Sequence, residues 1–360
     1  MKAASNFTEM IVQSWKNVAT EDWNSWKWQF ANRIRTLPAL AATLNQRSLA
    51  NSNCSEVIHR YPVAVTPYYA SLMVASDSHC PIRIQAVPDP REIHYSLGGT
   101  ADPLAEEQHM EVPGLVHRYP DRCLVIVTNV CATYCRHCNR KRIWKQKPAG
   151  DMKTYHRRII DAIAAKPSIR EVILSGGDPL TMSDRAIESF LSALRSIPHV
   201  EVVRIGSRTP VVMPMRITKP LCAILRKYRP LWFNTQFNHP REITPESTKA
   251  CEMILETGIP VSSQTVLLRH INDCYDVMRD LLYGLQRIAV RPYYLFQCDP
   301  VMGTDHFRTD IWAGMEIMEK LWSNVSGLCL PKYVLDVPGG KGKIPLQPFS
   351  LLNRENTDPS

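Results

Sequence analysis

The run Cys123-Leu-Val-Ile-Val-Thr-Asn-Val130 leads directly into Cys131-Ala-Thr-Tyr-Cys135-Arg-His-Cys138. The first part is apolar enough for a buried strand, and the second places three cysteines in one tight C-x3-C-x2-C loop at its end. Soft thiolates in that number select iron–sulfur clusters or zinc. A structural zinc site needs a fourth ligand, usually from a second C-x2-C or a His pair, and none follows in the sequence. Three thiolates on a cubane leave one iron open to a ligand. Three unrelated core cysteines would be the plainer reading, but the strand immediately before them argues for a loop built at a strand end.

Working outward, apolar runs recur at Leu124–Val127, Glu171–Leu174, Glu201–Ile205, Leu231–Asn234, Pro260–Leu267, Tyr293–Phe296 and Tyr333–Val337. Most are separated by a helix-like stretch, and their spacing is about that of a βα unit. Such units build a parallel sheet or barrel, with chemistry at the C-terminal strand ends. The pattern predicts an α/β fold, a partial (β/α)6 barrel over residues 111–345, after a helical N-terminal region and Pro-rich connection (1–110) and before a short tail (346–360). Within the first region, Thr20 is expected to cap a helix that carries Trp23, Trp26 and Phe30 on one face. Trp28 is expected to be partly exposed. Pro81, Pro88, Pro90, Pro103, Pro113 and Pro120 predict a long extended connection.

Two glycine motifs sit at expected strand ends. Ser175-Gly176-Gly177-Asp178 would let backbone approach a ligand closely and offers a carboxylate to an ammonium group; an ordinary turn is the alternative. Asp336-Val-Pro-Gly-Gly-Lys341-Gly-Lys343 lacks the spacing of a nucleotide P-loop. By spacing alone it is a surface turn; a glycine turn carrying a lysine into a barrel mouth also suits a Schiff-base lysine.

The chain has 360 residues, 44% hydrophobic and 21% charged, the balance of a globular protein. No apolar run approaches the roughly 18 residues of a membrane span, and the N-terminus lacks a signal-peptide core. Eleven cysteines without a regular framework point to a reducing cytoplasm. The net charge of +9 concentrates in Arg136, Arg140, Lys141, Arg142, Lys145 and Lys147. Without interleaved aromatics this is no single-strand nucleic-acid stripe; beside a cofactor loop it is expected to hold phosphates and carboxylates.

The cysteine loop with its strand resembles the radical S-adenosylmethionine enzymes. Over Trp15 to Pro348 the sequence resembles the lysine 2,3-aminomutase family. The matching stretches include Asp22-Trp23-Asn24, Trp26-Lys27-Trp28-Gln29 and Pro113-Gly-Leu-Val-His-Arg118-Tyr119-Pro-Asp-Arg122. They continue with the cysteine loop and Arg140, Leu174-Ser-Gly-Gly-Asp178, Arg204-Ile-Gly-Ser-Arg-Thr-Pro-Val-Val212, Phe237-Asn-His-Pro240 and Gln297-Cys-Asp299, and end on Asp336 with its lysine turn. The resemblance implies a radical barrel enzyme interconverting L-lysine and β-lysine by amino migration. Its cofactors would be a [4Fe–4S] cluster on Cys131, Cys135 and Cys138, S-adenosylmethionine, and pyridoxal 5′-phosphate. Lys343 falls on the family's cofactor lysine, and Lys341 stands where glycine is usual. Arg118, Tyr119 and Arg122 would hold the pyridoxal phosphate. His137, Asp178 and Gln264 would contact S-adenosylmethionine. Arg140 would take the substrate α-carboxylate, with Asp299 and Asp336 on its ε-ammonium.

The resemblance further implies a flavodoxin- or ferredoxin-type electron donor and a homo-oligomer, with no nucleic-acid or membrane partner. Zinc stays open: the family's long forms add a cysteine segment not found before Ser360, while Cys274 aligns with the partner zinc cysteine. Gln236 replaces a usual histidine and Phe296 a usual tyrosine. Arginine and glutamate 2,3-aminomutases, or another radical isomerase, are rival readings within the class. A metal- or nucleic-acid-binding module without activity is the rival outside it.

Overall fold

From Arg122 to Val337 the chain repeats one pattern: a strand buried on its helix-facing side, then a capped amphipathic helix. The computed structural model describes residues 15–46, 49, 53–94, 98–146, 151–337 and 342–347. The strands are β1 (Leu115–Tyr119), β2 (Arg122–Thr128), β3 (Glu171–Gly176), β4 (Val202–Gly206), β5 (Leu231–Thr235), β6 (Val261–Leu267), β7 (Arg291–Gln297), β8 (Lys332–Val337) and β9 (Gly342–Pro345). Between β2 and β8 lie α1 (Met152–Ala164), α2 (Asp184–Arg195), α3 (Lys219–Lys227), α4 (Pro245–Leu255), α5 (Tyr275–Arg287) and α6 (Ile311–Asn324). Most start on a side-chain cap: Asp151, Ser183, Thr218, Thr244 and Asp310 each accept a backbone N–H of the first turn.

The nine strands form one sheet in sequence order, parallel from β2 to β8. Register explains its two faces. Val125, Leu174, Ile205, Phe233 and Val261 align across neighbouring strands and are buried in the core with the helices. One residue earlier, Leu124, Ile173 and Arg204 align and line the barrel interior, as the two-residue period of a strand requires. All the strand-like runs expected from the sequence are strands. The fold is α/β, a barrel-like sheet that is nearly closed.

Two strands were not expected. β1 pairs antiparallel with β2, and β9 antiparallel with β8. They bring the two edges of the sheet together through side chains. Arg118 of β1 donates to Val337 O at 2.5 Å and lies 3.2 Å from Asp336, while Lys343 of β9 reaches Tyr119 OH at 3.5 Å. Gly342, at φ +66°, leaves room for the Tyr119 ring, which an added Cβ would meet at 2.9 Å.

The Pro-rich stretch is not an extended connection. It holds a helix (Pro81–Ala86), two 3-10 turns (Pro90–Ile93 and Glu107–His109) and β1. Pro81 and Pro90 are the first residues of their turns, where a missing N–H and a preset φ start a helix. Nor does Thr20 cap the tryptophan helix. A short turn, Thr20–Trp23, ends at Asn24, and Ser25 restarts the chain as Trp26–Ala31 by accepting from Trp28 N. Trp23, Trp26 and Phe30 still pack on the core, and Trp28 is half-buried with its ring 6.2 Å from Trp23.

This N-terminal region clamps the cysteine loop. Arg33 donates to Cys131 O at 2.5 Å, Tyr134 N to Ala64 O at 2.9 Å and Arg136 N to Gln85 O at 2.8 Å. Glu92, fully buried, accepts from Arg136 at 2.8 and 2.6 Å and from Lys141 at 2.6 Å. Removing the charge from Glu92 leaves two buried cations without an anion. Glu92→Gln should therefore lower stability by about 3–5 kcal/mol in urea denaturation. Glu111→Gln, which breaks the solvent-exposed pair with Lys166, should leave the urea midpoint close to wild type.

Candidate active site

A cavity of about 590 Å³ opens at the C-terminal ends of the parallel strands and continues into the barrel. Its wall carries Cys131, Cys135, Cys138, His137 and Arg140 from the loop after β2, Asp178 after β3, Arg208 after β4 and Gln236 after β5. Gln264 of β6, Phe296 of β7, Asp299 just beyond it, Asp336 of β8 and Lys343 of β9 join them. Arg118, Tyr119 and Arg122 complete the wall from the β1–β2 hairpin. One cavity thus gathers every site residue expected from the sequence.

The cysteines are free and half-buried. Burial first, then the neighbouring thiol groups, push Cys131 well above an ordinary thiol and Cys138 up to about 11. Thiolates there require a metal to hold them deprotonated. Cys135 Sγ accepts from Arg208 Nη1 at 2.7 Å, and Cys138 Sγ from Arg140 N at 3.3 Å. Among the described residues, no three His, Cys, Asp or Glu side chains converge on a single ion. A cubane takes each thiolate on a different iron, so its ligands stand further apart than those of one ion.

Around this loop the charges are answered from within the chain, not left for phosphates. Arg140 grips Glu106 through Nε and Nη2 at 2.9 and 2.6 Å, leaving Nη1 3.3 Å from Ser175 Oγ. Arg142 lies 2.8 Å from Glu106, 3.1 Å from Asp102 and 3.2 Å from Glu107. Arg136 and Lys141 are held by Glu92. The basic run was expected to hold phosphates and carboxylates; Arg136, Arg140, Lys141 and Arg142 hold carboxylates of this chain, and Lys147 lies outside the described residues. The two cations on Glu106 hold its carboxyl down at about 2 in spite of burial.

The glycine motif packs closely against backbone of this chain. A Cβ at Gly176 would meet Thr128 O at 2.4 Å, and one at Gly177 would meet Val130 O at 2.4 Å. Gly177 N and Asp178 N donate to those same oxygens at 2.6 and 2.8 Å. The glycines dock β3 against the entry of the cysteine loop. Asp178 Oδ1 accepts from Leu180 N, Ser207 Oγ and Thr209 Oγ1, and Oδ2 from Arg208 N at 2.9 Å. By lone-pair count only Oδ2 has capacity left for a ligand.

Lys343 sits on β9, opposite Asp336, and not in the glycine turn; Lys341 lies outside the described residues. Its Nζ is 3.0 Å from Asp336 Oδ2 and within 5.5–5.9 Å of the Tyr119, Tyr294 and Phe296 ring centres. Arg122 stacks 3.9 Å over Tyr119. Asp299 accepts from Asn139 at 2.9 Å through Oδ2, and its buried Oδ1 meets no hydrogen-bond partner among the described residues. Burial, with Asp336 nearby, pushes its carboxyl up to about 7 against the Asn139 hydrogen bond. His137 Nε2 meets Gln236 at 3.1 Å and Asn238 at 3.2 Å, while its buried Nδ1 has no hydrogen-bond partner among the described residues. Cys274 is exposed, at the start of α5.

With this geometry, a model of the Radical SAM superfamily matches residues 125–282. A second, described as Lysine-2,3-aminomutase, matches residues 318–358. The L-lysine 2,3-aminomutase of Fusobacterium nucleatum is 47% identical over 338 residues, 94% of this chain and 80% of that one. That of Clostridium subterminale is 45% identical, covering 95% and 82%. The glutamate 2,3-aminomutase of Clostridioides difficile is 42% identical, covering 97% and 82%. The chain belongs to the lysine 2,3-aminomutase family of radical S-adenosylmethionine enzymes. It is thus an aminomutase-type isomerase, and the family implies a [4Fe–4S] cluster and S-adenosylmethionine. The residues fit both: three soft donors in one loop, and beside them an Asp178 oxygen with spare capacity and an unsatisfied His137 Nδ1. Among the described residues no helix is long and apolar enough to cross a membrane.

Two outcomes follow from this site. Cys135→Ala should abolish cluster assembly, read as iron content and visible absorbance after anaerobic reconstitution, whereas Cys274→Ala should leave both unchanged. Asp299 holds a proton in the fold that the unfolded chain loses above about pH 4, so its contribution to stability falls as pH rises from about 4 to 7. In ligand-free protein, the urea midpoint of Asp299→Asn should therefore gain on wild type as pH rises through that window. Parallel midpoints would refute the assignment.

Proposed function

We propose that the enzyme is a pyridoxal 5′-phosphate-dependent L-lysine 2,3-aminomutase, interconverting L-lysine and β-lysine. The observation that carries the substrate is the pair Asp299 and Asp336 in one cavity. Asp299 has a buried oxygen without a hydrogen-bond partner among the described residues, and Asp336 is buried. Burying two carboxylates together is costly unless a cation stands between them. A substrate ammonium supplies one; the side chain of glutamate would add a third negative charge. Relatives named for L-lysine support the same reading.

The basic hairpin supports the cofactor. Arg118 and Arg122 bring guanidinium donors suited to a phosphate, and Tyr119 and Phe296 bring flat apolar faces to Lys343. When bound, pyridoxal phosphate supplies a π-system that stabilises a carbon radical, and the cluster with S-adenosylmethionine supplies the radical. The chain's own part is orientation. Arg140, rigid on Glu106, offers Nη1 to the substrate α-carboxylate. Asp299 and Asp336 fix the far end, so the reacting carbons are held between two anchored charges. Lys343 and Arg118 both neutralise Asp336 in the ligand-free fold; a Lys343 nitrogen bonded to the cofactor would no longer be an ammonium and would leave Asp336 Oδ2 to a substrate ammonium. Leu124, Ile173 and Val266 line the wall and limit water.

Anaerobic reconstitution with iron, sulfide, S-adenosylmethionine and pyridoxal phosphate, followed by product analysis on lysine, arginine and glutamate in parallel, tests the reading. β-Lysine should dominate, and β-glutamate as main product would sink it. Asp299→Asn and Asp336→Asn should each weaken lysine binding by about 1.5–3 kcal/mol, the scale of a charged hydrogen bond. Borohydride reduction and peptide mapping should place the pyridoxyl label on Lys343. Lys343→Ala should lose the label and Lys341→Ala keep it, with iron content unchanged in both.

A further inference from the structure

Arg208 is a charged side chain buried where the aminomutation itself gives it no task. It follows β4, and its guanidinium is held from behind by residues of three other segments. Nη2 donates to Glu242 at 2.7 Å, to Gln85 at 2.6 Å and to Tyr69 OH at 3.3 Å, and Nε donates to Gln236 O at 3.3 Å. Glu242 is itself fully buried and fixed by Tyr69 OH at 2.7 Å and by the backbone N–H groups of Asn238 and His239 at 2.6 and 3.0 Å. Nη1, on the remaining side, donates to Cys135 Sγ at 2.7 Å. The whole construction aims one cationic N–H at one cluster sulfur.

We propose that Arg208 is a positioning and tuning residue for the iron–sulfur cluster: its N–H···Sγ bond to Cys135 and its fixed charge set the potential at which the cluster accepts its electron. This rests on Cys131, Cys135 and Cys138 holding a [4Fe–4S] cluster. In that step the cluster gains one electron from a one-electron donor; no bond forms or breaks and no proton moves. The reduced cluster with its thiolates is one charge more negative than the oxidised one. Hydrogen bonds to the sulfurs and nearby charge are what the protein uses to shift that balance. A cation at hydrogen-bond distance from a ligating sulfur, inside the barrel wall, stabilises the reduced form most. Glu242, on the far side of the guanidinium, tempers the effect.

The two partners therefore act with opposite sign. Arg208→Gln should move the midpoint potential to lower values, and Glu242→Gln should move it to higher ones. Arg208→Lys, which keeps the charge, should shift it less than Arg208→Gln. Reductive titration with dithionite and redox dyes, followed by electron paramagnetic resonance without S-adenosylmethionine, reads each potential, and iron content is measured on the same samples. If Arg208 and Glu242 only brace the loops, both variants loosen the same contact and shift the potential in one direction. That result, or an unchanged potential at full iron content, overturns the proposal. So does a loss of S-adenosylmethionine affinity in Arg208→Gln with the potential unmoved, which would make Arg208 a carboxylate ligand. Should Arg208→Gln fail to fold, Glu242→Gln and Arg208→Lys carry the test. A wild-type protein that takes up no cluster would instead remove the reading beneath it.

Discussion

A carboxylate with no access to water, Glu92, carries two cations of the cysteine loop. Arg136 and Lys141 both end on it, and their remaining donors go to the carbonyl oxygens of Tyr61, Pro62 and Gly303. Because neither cation nor anion can be solvated, each fixes the other, and the loop between Cys135 and Lys141 has a single place to sit. Three cysteine sulfurs must be presented together before any metal binds them. Here that order comes from charge pairs and backbone hydrogen bonds to the N-terminal region. The barrel supplies the floor of the site, and the N-terminal helices supply its clamp.

The same economy of parts governs closure of the barrel. The sheet's two edges, β1 and β9, are joined by Arg118, Tyr119, Asp336 and Lys343 and not by a hydrogen-bonded ladder. On the proposed function these are also the residues that handle pyridoxal phosphate and substrate. Ladder hydrogen bonds resist small movements, whereas side-chain ion pairs can exchange partners. A seam made of exchangeable contacts is therefore a place where a ligand can enter the wall without breaking the sheet.

The seven parallel strands were legible because runs with apolar residues recur at about the spacing of a βα unit, most of them separated by helix-like stretches. The cysteine loop, the Gly-Gly-Asp motif and the glycine–lysine turn were legible from their own pattern at expected strand ends, whereas Arg118, Tyr119, Arg122, Arg140 and Gln264 were named only through the family resemblance. What escaped has physical reasons. β1 is short and bracketed by Pro113 and Pro120, so local signals read as connection; β9 is four residues long and follows glycines. Pro81 and Pro90 begin turns that a count of prolines reads as breaks. Glu92 and Glu106, the partners of the basic run, lie 44 and 34 residues from Arg136 and Arg140. Nothing in their own neighbourhood marks them. The Arg208–Glu242–Gln85 network joins three distant segments and carries no periodicity at all. Ionic partners are a property of the fold, and a sequence shows only one half of each pair.

A closed (β/α)8 barrel is ordinarily filled by apolar layers, and the departure from that rule explains why a cavity survives here. The inward positions include Glu171, Ser175, Arg204, Asn234 and Gln264, side chains that cannot collapse into a dry core without leaving polar groups unpaired. Deep in the barrel, Arg204 and Glu171 pair across β3 and β4, although Arg204 Nε has no hydrogen-bond partner among the described residues. Nearer the mouth, free polar capacity stands at Asp299, His137 and the spare oxygen of Asp178. Ligands are thereby drawn to the strand C-termini, where the cysteine loop stands. Polar side chains keep the interior open, and the position of the chemistry follows from where the cysteine loop and these unpaired groups meet.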